Sequence, residues 1–326
     1  MKHHAFARAA LLVGASAVWF AGAADEPDEL LVLTALPVTY SITAALAEGT
    51  SITVENVPED RRPMNALVNL LTQRPERFEA RLARADAVVT IGKLWLDDPL
   101  YTAARSANIR VVEIDATKPW SATLEGVSVI SQPAQQGPWA AAGAAPREPS
   151  VYYWLSPANA ARSADIVARD LMRLAPPEDL ERIEENLKRV RGGLVDLKRE
   201  YELKLAALDD VTVFALAPEF VYLLADMGLF VDGAFFKQDI DWTDEDLEAV
   251  EAYLRTHAIP VAIHKWEPEA RIAAAVRAGG AELVVLDPIE IGVEEDGRLA
   301  EDGYQQLMRR NLEALHSALA RSQRVD

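Results

Sequence analysis

From about Pro177 to Leu208 the apolar residues fall at Leu180, Ile183, Leu187, Val190, Leu194, Leu197, Tyr201, Leu205 and Leu208, in steps of three and four. That spacing holds one stripe on one face of an α-helix. Pro176 and Pro177 suit a helix entry, where a missing N–H costs nothing, and Glu178 and Asp179 complement the positive end of the helix dipole. Asp209-Asp210 closes the run. At 1.5 Å per residue the segment reaches roughly 46 Å, longer than a typical domain radius. The pattern predicts a strut between two lobes, with Gly192-Gly193 as a point of bending. A coiled-coil or bundle helix is the plainer alternative.

The patterns on the two sides of this helix look alike. Before it, short apolar or alternating runs at Leu30–Leu33, Ser51–Val57, Ala87–Ile91 and Ile109–Ile114 read as strands. Tyr40–Ala47, Pro75–Ala85 and Pro99–Ala107 read as the helices between them. Ser131–Pro149 is rich in Ala, Pro, Gln and Gly without periodicity. It predicts a flexible surface loop, one that a short Gly-Ser linker would replace with little change in melting temperature. Tyr152–Leu155 is a short apolar run, and Pro157–Leu174 a helix facing the strut.

After the strut the alternation restarts. Val211–Leu216, Leu229–Val231, Pro260–Ile263 and Glu282–Leu286 read as strands, separated by helices at Glu219–Met227, Thr243–His257 and Pro268–Ala278. Thr243 with Asp246 forms a capping-box pattern, and Tyr304–Ala320 is the last helix. Strands alternating with helices imply parallel pairing with right-handed crossovers. The expected fold is α/β: two lobes, each a small parallel sheet with flanking helices, joined by one long interlobe helix. The boundaries are 25–174 for the first lobe, 175–209 for the interlobe helix and 210–326 for the second lobe.

Composition narrows the role. Residues 1–24 read as a signal peptide: Lys2 and Arg8 give a basic start, Ala9–Ala21 an apolar stretch too short to span a bilayer, and Ala21-Gly22-Ala23 a small-residue cleavage site. Cleavage near Ala23 or Ala24 releases an exported chain, most simply into a periplasm. The formal charge is −18, and loss of a leader holding two basic and no acidic residues makes it more negative. This argues against nucleic acid or anionic lipid as partner. There are no cysteines, so disulfides, thiolate nucleophiles and Cys-based zinc sites are excluded. Beyond the leader only His257, His264 and His316 remain.

In open α/β sheets ligands collect beyond the carboxyl ends of the strands. Those ends carry Leu36-Pro37, Glu59-Asp60-Arg61-Arg62 and Gly92-Lys93-Leu94-Trp95 in the first lobe. In the second they carry Ala217-Pro218-Glu219, Lys237-Gln238-Asp239, His264-Lys265-Trp266-Glu267 and Asp287-Pro288.

Several of these pieces carry a family resemblance. Tyr152-Tyr153-Trp154-Leu155-Ser156-Pro157-Ala158-Asn159 is similar to a Pro-His-x-Trp-Leu-Asp-Pro-x-Asn motif. Phe220, Tyr222-Leu223 and Met227-Gly228-Leu229 follow a strand end, and Val284-Val285-Leu286-Asp287-Pro288 precedes Tyr304, Leu307, Asn311 and Leu312. In this order, with the strut, the chain resembles the periplasmic metal-binding proteins of zinc- and manganese-type ABC importers over essentially its whole mature length. The resemblance implies a substrate-binding protein for metal uptake, a monomer that docks on an inner-membrane ABC permease. It also implies metal ligands, and here the chain departs. No His lies between Pro58 and Leu71; the second family His falls on Tyr152; the third ligand falls on Ala217, with Glu219 two residues on; only Asp287 is retained. The Ser131–Pro149 segment has no His.

A divalent cation, zinc or manganese, is then expected at His264, Asp287 and Glu219, with Tyr152 or water completing the shell. The plainer roles are a strand-end His satisfied by backbone, a cap before Pro288 and a first-turn carboxylate. A competing observation is that Arg61, Arg62, Lys93, Lys237 and Lys265 all fall at strand ends, which suits an anion or a metal chelate unless they pair with neighbouring acids. A relative with an altered site that acts as a non-transport partner protein is a further alternative. No Gly-x-Ser-x-Gly elbow, phosphate loop, Gly-x-Gly-x-x-Gly or Cys nucleophile is present, so an enzyme is not expected and an exported hydrolase is the remotest reading.

Overall fold

The computed structural model describes residues 30–59, 62–141 and 147–323. The expected signal peptide and Arg61 lie outside the described residues. The first lobe runs β1 (Leu30–Thr34), α1 (Pro37–Ala47), β2 (Ile52–Asn56), α2 (Met64–Gln73), α3 (Glu79–Arg84), β3 (Ala87–Thr90), α4 (Leu100–Ala107), β4 (Val112–Asp115) and α5 (Pro157–Leu174). Its sheet is parallel, in the order β2-β1-β3-β4. The strands are short and apolar because both faces are covered; β3 is buried at every position. Helix α2 was not marked by the sequence reading, although Met64, Leu67 and Leu71 make its buried face.

Next comes α6 (Leu180–Ala206), entered through a 3₁₀ turn at Pro177–Asp179. Ile183, Leu187, Val190, Leu194, Leu197, Tyr201 and Leu205 of the stripe are buried, while Leu180 at the first turn is exposed. Gly192 and Gly193 lie on an open face where an added Cβ meets nothing, and the helix runs through them. Helix α6 touches both lobes. Its first half packs on α1 and α5. There the Asn186 amide donates to the Leu46 and Glu48 carbonyls (2.9 and 2.8 Å), and Asp179 accepts from the Ser51 amide and hydroxyl. The far end holds the last helix, where the Tyr201 hydroxyl donates to Glu313 (2.8 Å) and Arg309 to Glu200 (2.9 Å).

The second lobe runs β5 (Thr212–Ala215), α7 (Val221–Asp226), β6 (Phe230–Ala234), α8 (Asp244–His257), β7 (Val261–His264), α9 (Ala270–Ala278), β8 (Glu282–Val285), a small hairpin β9 (Glu294-Glu295) and β10 (Arg298-Leu299), and α10 (Gly303–Ser322). Its sheet, in the order β6-β5-β7-β8, is parallel and repeats the topology of the first. The capping box at Thr243 and Asp246 is present. Among the described residues no helix is long and apolar enough to cross a membrane.

The described parts of 131–149 lie at the surface, as expected, but make specific bonds to the second lobe. A bridge between Ser131 and Pro149 closes the segment at its base. Gln136 then pairs with Ala234 of the edge strand β6 through both backbone bonds (2.8 Å each), and its side chain donates to the Asp232 carbonyl. The Trp139 indole donates to the Ala234 carbonyl (2.7 Å) and packs edge-on against Phe214 and Phe235. A segment without periodicity gains order here by covering a strand edge, which requires backbone groups and one aromatic anchor rather than an apolar stripe. Replacing Trp139 with Ala is expected to cost about 2 kcal/mol, less than the roughly 3–5 kcal/mol of a fully buried tryptophan because the ring is only partly buried. Thermal unfolding checks this, and a melting temperature equal to wild type would mean the segment does not hold β6.

Candidate functional site

In both sheets the chain order reverses between the two central strands, β1 and β3 in one and β5 and β7 in the other. Crevices for ligands open at such switch points, beyond the carboxyl ends. In the first lobe the acids at that end are held by their own neighbourhood. Asp115 accepts from the Lys93 and Thr117 amides, Glu113 from the Thr90 hydroxyl, and Asp98 from the Ile91 and Leu100 amides. Burial pushes the Asp98 carboxyl up to about 6 despite those amides.

In the second lobe Leu216 still bonds to Ile263 across β5 and β7. The two chains then diverge with Glu219 on one and Lys265 on the other. A 3₁₀ turn at Pro218–Phe220 sets Glu219: Phe220 is fully buried as an anchor, and Glu219 is 6% exposed. Glu219 Oε1 accepts from Lys265 Nζ at 2.5 Å, while Oε2 has no hydrogen-bond partner. The Lys265 ammonium also lies 4.5 Å from the Trp266 ring centroid.

The other predicted site residues are placed as follows. Tyr152 reaches across from the segment before α5 and donates to Glu290. Burial, then the charges of Glu290 and Glu219, raise its phenol far above the usual range, so it stays protonated. His264 is buried, and its Nδ1 accepts from the Lys265 and Trp266 amides (2.9 and 3.2 Å). The proton of the neutral ring therefore sits on Nε2, which faces Asp239 at 3.8 Å. Burial is the largest influence on this imidazole and lowers its pKa, so the neutral form prevails. With Nδ1 engaged and Nε2 protonated, His264 offers no lone pair in this arrangement. The Asp287 carboxylate accepts from the Ile289 amide (2.7 Å) as a turn cap, and its backbone is clasped by the Asn311 amide group.

The structure thus pairs Glu219 with Lys265 and Tyr152 with Glu290; His264 Nδ1 is bonded to two backbone amides, and Asp287 Oδ1 to one. Among the described residues no three His, Asp or Glu side chains are grouped to hold a metal ion as they stand. Lys265, Asp287 and Glu290 line one cavity of about 460 Å³. Glu290 was missed by the sequence reading; its only signal is that it follows Asp287-Pro288 at the end of β8.

Of the five cations, the three lysines are placed apart from one another. Lys237 pairs with Asp246 at 2.6 Å and Lys265 with Glu219, while Lys93 is exposed near Gly126. These lysines do not converge, because each strand end turned its cation toward the nearest acid or to solvent.

The two lobes meet around this site. The Trp154 indole donates to the Pro288 carbonyl (2.9 Å), the Tyr304 hydroxyl to the Trp154 carbonyl (2.7 Å), and Gly292, at φ +74°, is pressed against Pro37 of α1.

Solved structures share this fold. The substrate-binding protein FpvC of Pseudomonas aeruginosa matches at 19% identity over 90% of this chain. Its mutant form gives a TM-score of 0.72 over 100% of its own length, and its Mn2+ complex 0.66 over 99%. A periplasmic metal-binding protein of Candidatus Liberibacter asiaticus matches with TM-score 0.67 and 17% identity, over 89% of this chain and 99% of its own. Zn(II)-bound AdcA of Streptococcus pneumoniae matches with TM-score 0.62 and 20% identity, over 89% of this chain and 58% of its own. Among curated proteins none matches the sequence. The profile of the ZnuA family, described as zinc-uptake complex component A, periplasmic, matches residues 32–318. That span holds both sheets, the interlobe helix and the site between the lobes, and the chain belongs to the ZnuA family of non-catalytic, metal-uptake solute-binding proteins.

Proposed function

We propose that this chain captures a divalent transition metal, zinc or manganese, in the periplasm and delivers it to an ABC permease. One observation carries the reading: Glu219, 6% exposed, keeps one carboxylate oxygen without a hydrogen-bond partner beyond the carboxyl end of β5. A buried carboxylate oxygen left unbonded is costly unless something charged comes to it. Glu219 is the first ligand, with Glu290 and the Tyr152 hydroxyl beside it. His264 joins only by giving up its amide hydrogen bonds, whereas Asp287 has only Oδ1 engaged, by the Ile289 amide. An oxygen-rich set binds a transition metal less tightly than three imidazoles and is more tolerant of manganese. The FpvC and AdcA structures hold Mn2+, Ni2+ or Zn(II), which supports a divalent transition metal as cargo.

Calorimetric titration with zinc and with manganese tests this. One equivalent of at least one metal is expected to bind wild type, and His264→Ala is expected to change the affinity by less than about threefold, since the ring offers no free lone pair. Absence of binding by both metals would remove the reading and favour the non-transport alternative.

A further inference from the structure

Lys265 has no role in the reading above, yet it holds the one carboxylate that reading depends on. Its ammonium sits 2.5 Å from Glu219 Oε1, at the adjoining end of the central strand β7, with the Trp266 ring on its other side at 4.5 Å. Most charges elsewhere in the molecule pair on open surfaces, as Lys188 does with Glu184 and Arg182 with Glu185. The Lys265–Glu219 pair is one of the few set inward, its carboxylate side chain 7% and its lysine side chain 25% exposed, and, unlike Lys198–Asp226 and Arg173–Asp170, it lies at the carboxyl ends of the two central strands β5 and β7.

We propose that Lys265 is a tethered cation that competes with the metal for Glu219, so that cargo binds by displacing it and leaves when it returns. This rests on the metal reading of the site. The physical argument is one of exclusion. A divalent ion bound to Glu219 within about 2.2 Å and an ammonium 2.5 Å from the same carboxylate repel each other strongly where little water screens them. One must give way, and only the lysine has a place to go: its side chain is already 25% exposed, and its four-carbon stem can carry the ammonium outward past the Trp266 ring. The Glu219 side chain is fixed by the turn anchored at Phe220. Affinity is thereby reduced by the cost of breaking the ion pair, and release into a permease gains a built-in replacement cation that keeps the buried carboxylate from standing alone.

The test uses the full mature chain. Lys265→Met removes the charge and keeps the stem, and titration with zinc and manganese alone is expected to show binding at least about tenfold tighter than wild type. Equal or weaker binding in a variant that does bind metal overturns the competition while leaving the metal reading standing. No binding in either protein removes the metal reading and the competition with it. A second measurement needs no variant. Acylation of wild-type lysines, read by mass spectrometry, is expected to label Lys265 several-fold faster at saturating metal than without it, with Lys188 as an unchanging reference. An unchanged Lys265 rate at saturation overturns the proposal even where the Met variant fails to fold.

Discussion

Leu194→Pro is expected to unfold this protein or bring it to the edge of unfolding. Leu194 lies in the interior of the 27-residue helix α6 and is 1% exposed. A proline there removes the hydrogen bond to the carbonyl four residues back and clashes with it, at about 3 kcal/mol or more. Loss of a buried leucine side chain adds about 2 kcal/mol or more. The total of about 5 kcal/mol is comparable to the whole stability of many domains. The effect should reach both lobes at once, because Asn186 and Asp179 on one side of Leu194 tie α6 to the first lobe, and Tyr201 and Glu200 on the other tie it to α10. Denaturant unfolding of wild type, Leu194→Ala and Leu194→Pro separates the terms. A proline variant no less stable than the alanine variant would mean that α6 is not the continuous member that joins the lobes.

That helix was also the most legible part of the sequence, for the same reason that it is sensitive. A stripe repeated over seven turns has one periodic solution, so the buried set from Ile183 to Leu205 could be written down in advance. The eight parallel strands were legible as short apolar runs, with ends shifted by one to three residues where, as at Ile109, an apolar residue proved exposed outside the strand. Legibility failed where order comes from backbone pairing. The 131–149 segment holds the edge of β6 through Gln136 and Trp139, and no periodicity announces that. The hairpin at 294–299, mostly charged, pairs through Glu294 and Glu295 with Leu299 and Arg298 for the same reason.

The alternation of strands and helices anticipates that the ends of β5, β7 and β8 lie side by side, but it does not assign the partners of their side-chain atoms. Glu219, His264 and Asp287 do sit at carboxyl ends of neighbouring strands, as strand order requires. Whether an imidazole lone pair is free depends on two backbone amides, those of Lys265 and Trp266, whose directions only the folded turn fixes. Counting cations at strand ends likewise revealed their number and not their partners: Lys265 belongs to Glu219, and Lys237 to Asp246. Glu290 was hidden because a left-handed residue before it, Ile289 at φ +60°, turns it back toward Tyr152.

Glu219 is the residue proposed to take the metal, and replacing it with Gln tests that most directly. The amide keeps the shape of the side chain and removes the charge, so the turn at Pro218–Phe220 should survive. Groups that merely orient a metal ligand commonly contribute 10–100-fold in affinity, so removing a charged ligand itself should exceed that range. Calorimetric titration of wild type and Glu219→Gln with zinc and with manganese, supported by melting curves showing both proteins folded, is the measurement. The account predicts that the variant binds either metal at least about 100-fold more weakly than wild type. A folded Glu219→Gln protein that binds metal as wild type does would contradict it.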